Sequence, residues 1–322
     1  MKLVERFRGH VLEETLALGS FGPDWPDRRA FLASKLSAGP GRRDVVDLGM
    51  HLSAAHRLAG GRGRAQAAVT QSGAAWQALV VYYLNMIYAG TPVVAVSPRH
   101  APRSVKAAMK VSYQGTAVLG DLDVALLVLP AGAAEEEPGG DSPRRRHLAA
   151  MRRYHALFDQ QFQTAYVSLV ACKTNWNDSV QTPMLWNLLY SLRRDQLPLP
   201  SGIAIGDSGY SLDMLAGFTF SFVTVPTNKL ENFKTDSMPV QRSRAFTGGY
   251  YWGYPSRTGV VDNISALPDR HASKAPSIMP SVSSCGAAFA AAVAGERDRI
   301  DYEAFAWTPG DDGSNGGSHA RA

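Results

Sequence analysis

Apolar residues recur at three- and four-residue spacing through residues 1–60, as in VERFRGHVLEETLAL, and predict amphipathic helices with a Pro/Gly break around Gly39 to Gly41. Gly60 to Arg64 interrupts that pattern as a basic glycine-rich loop. The stretch AAWQALVVYYLNMIYAG is apolar on all sides and closes on Gly90, which predicts a buried helix ending at a glycine. Short β-branched runs follow. TPVVAVSP and DVALLVLP predict two strands joined by a basic connector, and AYVSLVACK predicts a central strand preceded by a helix over Arg145 to Phe162. Another helix is expected over Thr182 to Arg194, then strands at GIAIG and FSFVTVPT. GGYYWGYPSRTG is aromatic and glycine-rich and reads largely as turn or loop. Strands alternating with helices predict an α/β fold with a mixed central sheet flanked by helices.

The expected organisation is an N-terminal helical region over 1–60 packing on the core, a main domain over 61–308, and a disordered tail over 309–322. The low-complexity run AGAAEEEPGGDSPRRRH, residues 131–147, is expected to be a flexible insertion.

Composition narrows the class of protein. The chain has 322 residues, 45% of them hydrophobic and 19% charged, enough to bury a sizeable core. No apolar run reaches the roughly eighteen residues that a membrane helix needs. The N-terminus lacks the apolar segment and cleavage site of a signal peptide, so a cytoplasmic protein is expected. Cys172 and Cys285, the only two cysteines, are too few for a disulfide framework or a cysteine-built zinc site. A net charge of +5 tilts the partner towards a polyanion. Basic clusters that could meet phosphates lie at Arg42 and Arg43, Arg57 to Arg64, Arg99 to Lys110, Arg144 to Arg153, and Arg242 with Arg244; each taken singly also reads as a solvated face.

Candidate chemistry begins with two strand ends. Asp121-Leu122-Asp123 opens one apolar strand, and Lys173 closes another. Phosphodiester hydrolysis needs carboxylates for hard divalent cations and a cation near the attacking water or the phosphate, and Asp123 and Lys173 supply one of each. A lysine ending a run as apolar as YVSLVAC either meets an anion or reaches out to solvent.

The block ACKTNWNDSVQTPMLWNLLY, Ala171 to Tyr190, resembles the second half of the PD-(D/E)XK motif in a group of type II restriction endonucleases. SGAAWQALVVYYLNMIYAGT resembles that group's N-terminal helix, GDLDVALLVLP its first metal-binding strand, and FSFVTVPTNK with GGYYWGYP its later strand and loop. The resemblance touches most of residues 70 to 260. It implies a PD-(D/E)XK core, Mg2+ as cofactor, and cleavage of double-stranded DNA at a short, palindromic site to leave 5'-phosphate ends. A homodimer and a cognate DNA methyltransferase in the same system follow from it too, the latter not as a stable complex. Under it, Asp123 is the principal metal ligand, the backbone carbonyl of Cys172 a second, and Lys173 orients or activates the water. Asp121 stands where another acid often occurs. Gln77 takes the helix position that often carries Glu.

Ala171 departs from the pattern, since that position is normally acidic and a methyl group cannot hold magnesium. The missing acid comes from elsewhere, or Gln77 coordinates through its amide oxygen, or Ala171 is an introduced substitution that blocks cleavage. The alternative function is then a sequence-specific DNA-binding protein on the same fold with impaired catalysis. Asn175, Asn177 and Asp178 are candidates to cap the next helix or to bond phosphates and base edges. Asn228, Lys229, Lys234, Gln241, Arg242, Arg244 and Arg257 are candidates for base reading, whereas Trp176, Met184, Leu185 and Trp186 read as helix core.

Other hydrolase chemistry fits less well. LSAAHR at His56 and IGDSG at Ser208 have the order of a serine-protease pair, but that architecture needs two β-barrels and a glycine where Tyr210 stands. His51 and His56 are spaced onto different helical faces, and neither HExxH nor a Walker A loop occurs.

Overall fold

A computed structural model describes residues 2–58, 66–118, 122–129, 143–174, 186, 189–193, 195–225, 241, 251–253, 264–275, 277, 279–294, 305 and 307. Four helices open the chain: α1 (Lys2–Leu16), α2 (Trp25–Ala33), α3 (Arg42–Asp47) and α4 (Leu52–Leu58). Their apolar positions turn inward, with Leu3, Phe7, Val11 and Leu52 fully buried. Helix α1 is fastened through polar groups as well. Buried Arg8 donates to the Asn85 side chain at 3.2 Å and to the Thr91 carbonyl at 3.0 Å, while Glu5 accepts from the Gly90 amide at 3.0 Å.

Helix α5 (Gln66–Ile87) is the buried helix the sequence predicts, with Trp76, Tyr82, Tyr83 and Leu84 at zero exposure. It ends against Gly90, whose positive φ of 75° suits a residue without a β-carbon. The expected strands follow as β1 (Val93–Val96), β4 (Val124–Val128) and β5 (Tyr166–Lys173).

The connector between β1 and β4 holds more structure than the sequence reading expects: helix α6 (Arg103–Ala108) and a hairpin of β2 (Val111–Tyr113) and β3 (Thr116–Val118). The hairpin pairs with β6 (Ile203–Ile205) in a small sheet of order β3-β2-β6. Its strands are three residues long and β3 is exposed throughout, so no apolar alternation marked them. Helix α7 (Pro143–Gln160) starts inside the segment expected as a loop and converts residues 143–147 to helix, because Pro143 suits a first helical turn. The rest of the expected insertion, 131–142, lies outside the described residues, as do the glycine-rich loop and the C-terminal tail.

The last two strands of the main sheet are β7 (Gly217–Thr224) and β8 (Tyr251–Gly253). Strand β8 lies in the segment expected to be mostly turn; β-prone Tyr251 and Trp252 complete the edge of the sheet there, across from Phe222 and Val223. The five strands run β1-β4-β5-β7-β8, with β1, β4 and β5 successively antiparallel and β5, β7 and β8 parallel. The architecture is therefore α/β with a mixed sheet flanked by helices. Helices α8 (Leu267–Lys274) and α9 (Ala287–Val293) complete it.

Register sorts the two central strands by face. Ser168 pairs beside Thr219, Val170 beside Ser221, Ala171 beside Phe222 and Lys173 beside Thr224. One face carries Ser168 and Ser221, whose hydroxyls lie 3.1 and 3.4 Å from Nε2 of the fully buried His271 of α8. The Tyr88 hydroxyl, just beyond α5, meets Nδ1 of the same ring at 3.2 Å. The opposite face carries Ala171, Lys173, Phe222 and Thr224. Among the described residues, no helix is long and apolar enough to cross a membrane.

Candidate active site

Strand β5 delivers the centre of the site because its register is fixed on both sides. On the β4 side Val124 pairs with Val170, so Asp123, one step further out, stands across from Ala171. Cross-strand partners share a face, which puts Asp123, Ala171 and Lys173 on one side of the sheet. The carboxylate is then held twice. Its Oδ2 accepts a 2.8 Å hydrogen bond from the Cys172 amide and lies 3.1 Å from the Lys173 ammonium. Both side chains are mostly enclosed, at 17% exposure for Asp123 and 19% for Lys173, so the pair is less screened than a surface bridge. Helix α5 closes the group from a third direction, where the Gln77 amide nitrogen donates to the Asp123 backbone carbonyl.

Gln77, Asp123 and the adjacent pair Cys172 and Lys173, three places far apart in the chain, are thus brought together. Cys172 takes part through its amide, a role the sequence reading did not assign. The amide and carbonyl of one strand residue point to the same edge, so the Cys172 carbonyl also faces the Asp123 side. Its thiol is buried, as expected, and Sγ lies 3.8 Å from the Val170 carbonyl. Ala171 is 2% exposed and presents only a methyl group towards Asp123. Asp121, Asn175, Asn177, Asp178, Asn228, Lys229, Lys234, Arg242, Arg244 and Arg257 lie outside the described residues, and so do Trp176, Met184 and Leu185; Gln241 is described and exposed. Trp186 packs on the core as expected, its ring 6.5 Å from Tyr190, which meets Phe218 of β7 at 5.9 Å.

Among the described residues, oxygen donors turned to this edge include the Asp123 carboxylate and the Cys172 carbonyl. Mg2+ commonly takes one or two carboxylates and fills its octahedron with water and phosphate, so the pair suits a weakly held Mg2+ that arrives with a phosphodiester. Among the described residues, no group of three His, Cys, Asp or Glu side chains is gathered to hold a metal. An acid in place of Ala171 would face Asp123 with β-carbons roughly 5 Å apart.

The competing protease pair is separated by environment. His56 lies in α4 with its ring 5.5 Å from Trp76, and burial pushes its pKa down to about 4. Ser208 sits in a tight turn between the bridged residues Asp207 and Tyr210, with φ at 53°. Several basic residues already have acidic neighbours: Arg43 pairs with Asp47 at 3.1 Å, Arg99 with Glu14 at 2.7 Å and Lys110 with Asp207 at 2.6 Å. Compared with known proteins, the chain matches no family model and no curated protein.

Proposed function

We propose that this chain is a Mg2+-dependent, site-specific DNA endonuclease of the type II restriction class, built on a PD-(D/E)XK core and short of one metal-binding acid at Ala171. The observation that carries the reading is the meeting of Asp123, Lys173 and Gln77 at one end of a mixed sheet. A strand-end carboxylate beside a strand-end ammonium is what phosphodiester hydrolysis asks of a protein, and the excess of positive charge suits double-stranded DNA. A palindromic site calls for a two-fold protein, so the working form is a homodimer paired in its cell with a cognate methyltransferase.

Asp123 and the Cys172 carbonyl would hold Mg2+, which would polarise the phosphoryl oxygen and acidify its bound water. Lys173 then has two tasks. Resting against Asp123, it keeps the carboxylate aimed at the site; released, its ammonium holds a phosphate oxygen or the attacking water by charge-assisted hydrogen bonds. Gln77 fixes the Asp123 backbone, and with it the direction of the side chain. The missing acid makes turnover slow.

A second reading, a sequence-specific DNA-binding protein with lost catalysis, is favoured by the Ala171 methyl group. Unmethylated plasmid with Mg2+ separates the two. The nuclease gives discrete fragments that disappear in Asp123→Asn and Lys173→Ala; sequence-dependent gel shifts without any cutting would leave the binding protein.

A further inference from the structure

Strand β7 carries three hydroxyl side chains, and two of them are accounted for. Thr219 shares a 2.7 Å hydrogen bond with Tyr166, and Ser221 meets His271 at 3.4 Å. Thr224, the last residue of the strand, differs: it has zero exposure and its Oγ1 has no hydrogen-bond partner among the described residues. A buried hydroxyl left without a partner is destabilising by about 1–3 kcal/mol, and valine would fill the same volume without that penalty.

The position of Thr224 supplies a reason for the hydroxyl. It pairs in register with Lys173, and neighbouring residues of a parallel pair project to the same face. The register is locked at this point, because the next amide, Val225, donates to the Lys173 carbonyl at 3.1 Å. Lys173 therefore runs out between two strand ends, with Asp123 on the β4 side and Thr224 on the β7 side. An ammonium has three donors, and Asp123 Oδ2 takes one of them at 3.1 Å.

We propose that Thr224 is a positioning residue for Lys173: its hydroxyl accepts from the ammonium when the Asp123 carboxylate turns to other partners. The lysine is then held from the β7 side. This deepens the nuclease reading and rests on it for its purpose, though the contact itself does not.

The test has two arms. In the Asp123→Asn chain, a double-mutant cycle between Lys173→Met and Thr224→Val, read by urea unfolding, reports the contact without any cleavage. Coupling between the two sites, with Thr224→Ser retaining it, supports the proposal; additive effects overturn it. A crystal structure of Asp123→Asn with the Lys173 ammonium within hydrogen-bond distance of Thr224 Oγ1 gives the same support. In the second arm, Thr224→Val in an Ala171→Glu background lowers kcat roughly tenfold with KM unchanged, and Thr224→Ser restores it. An unchanged kcat overturns the positioning role. If no form cuts DNA, the nuclease reading alone fails, and the cycle still decides whether Thr224 holds Lys173.

Discussion

Gln77 shows how one side chain can serve structure and site together. Its amide nitrogen donates to the Asp123 carbonyl just outside β4. Gln77→Leu removes that donor and is expected to destabilise the fold by about 1 kcal/mol in urea unfolding, with a larger effect on any cleavage than on DNA binding. Gly90 carries a different constraint. With φ at 75°, and with a β-carbon there only 2.8 Å from that of Ala288, it joins the end of α5 to the start of α9. Gly90→Ala is expected to cost roughly 1–3 kcal/mol by thermal unfolding, from left-handed strain and overlap together.

Among the elements, β5 and β7 divide the labour between their faces. The inner face is held by His271, whose ring joins Ser168, Ser221 and Tyr88 and so ties α8 to both strands and to the end of α5. His271→Phe strands these hydroxyls in the core, with an expected loss of roughly 2–4 kcal/mol in urea unfolding and no direct contact with Asp123 or Lys173 altered. Much of this framework was legible in the sequence. The all-round apolar α5 and the β-branched runs of β1, β4 and β5 have periods that burial enforces, and Asp123 and Lys173 stood out as charges at the ends of such runs. The small hairpin sheet was not legible, since β2 and β3 are too short and too exposed to leave a pattern. Strand β8 was hidden by glycines around its three residues. The meeting of Gln77 with Asp123 was implied only by resemblance, because nothing local in either segment reveals a contact between a helix and a strand end. Thr224 was missed for another reason: a hydroxyl in a strand means nothing until register places it beside Lys173.

The molecule as a whole keeps several histidines neutral by burying them. Burial pushes His56 and His100 down to about 4 and His271 to about 3. The unfolded chain takes up these protons near pH 6.5, the folded chain only well below it, so the histidines favour folding fully above pH 6.5 and oppose it increasingly as pH falls towards 4 and 3. Each is expected to cost about 2 kcal/mol of stability by pH 5, so the urea midpoint should drop sharply between pH 7 and pH 5. That total, about 6 kcal/mol, is comparable with the whole stability of an ordinary domain. The DNA binding proposed for this basic chain would draw on the whole surface, and its affinity should then fall steeply with salt in gel shifts. The proposed nuclease is tested most directly by cleavage of unmethylated plasmid by Ala171→Glu in Mg2+. Discrete fragments formed faster than by the parent chain, and abolished by chelation, are the expected result; a folded Ala171→Glu protein that leaves the plasmid intact would contradict it.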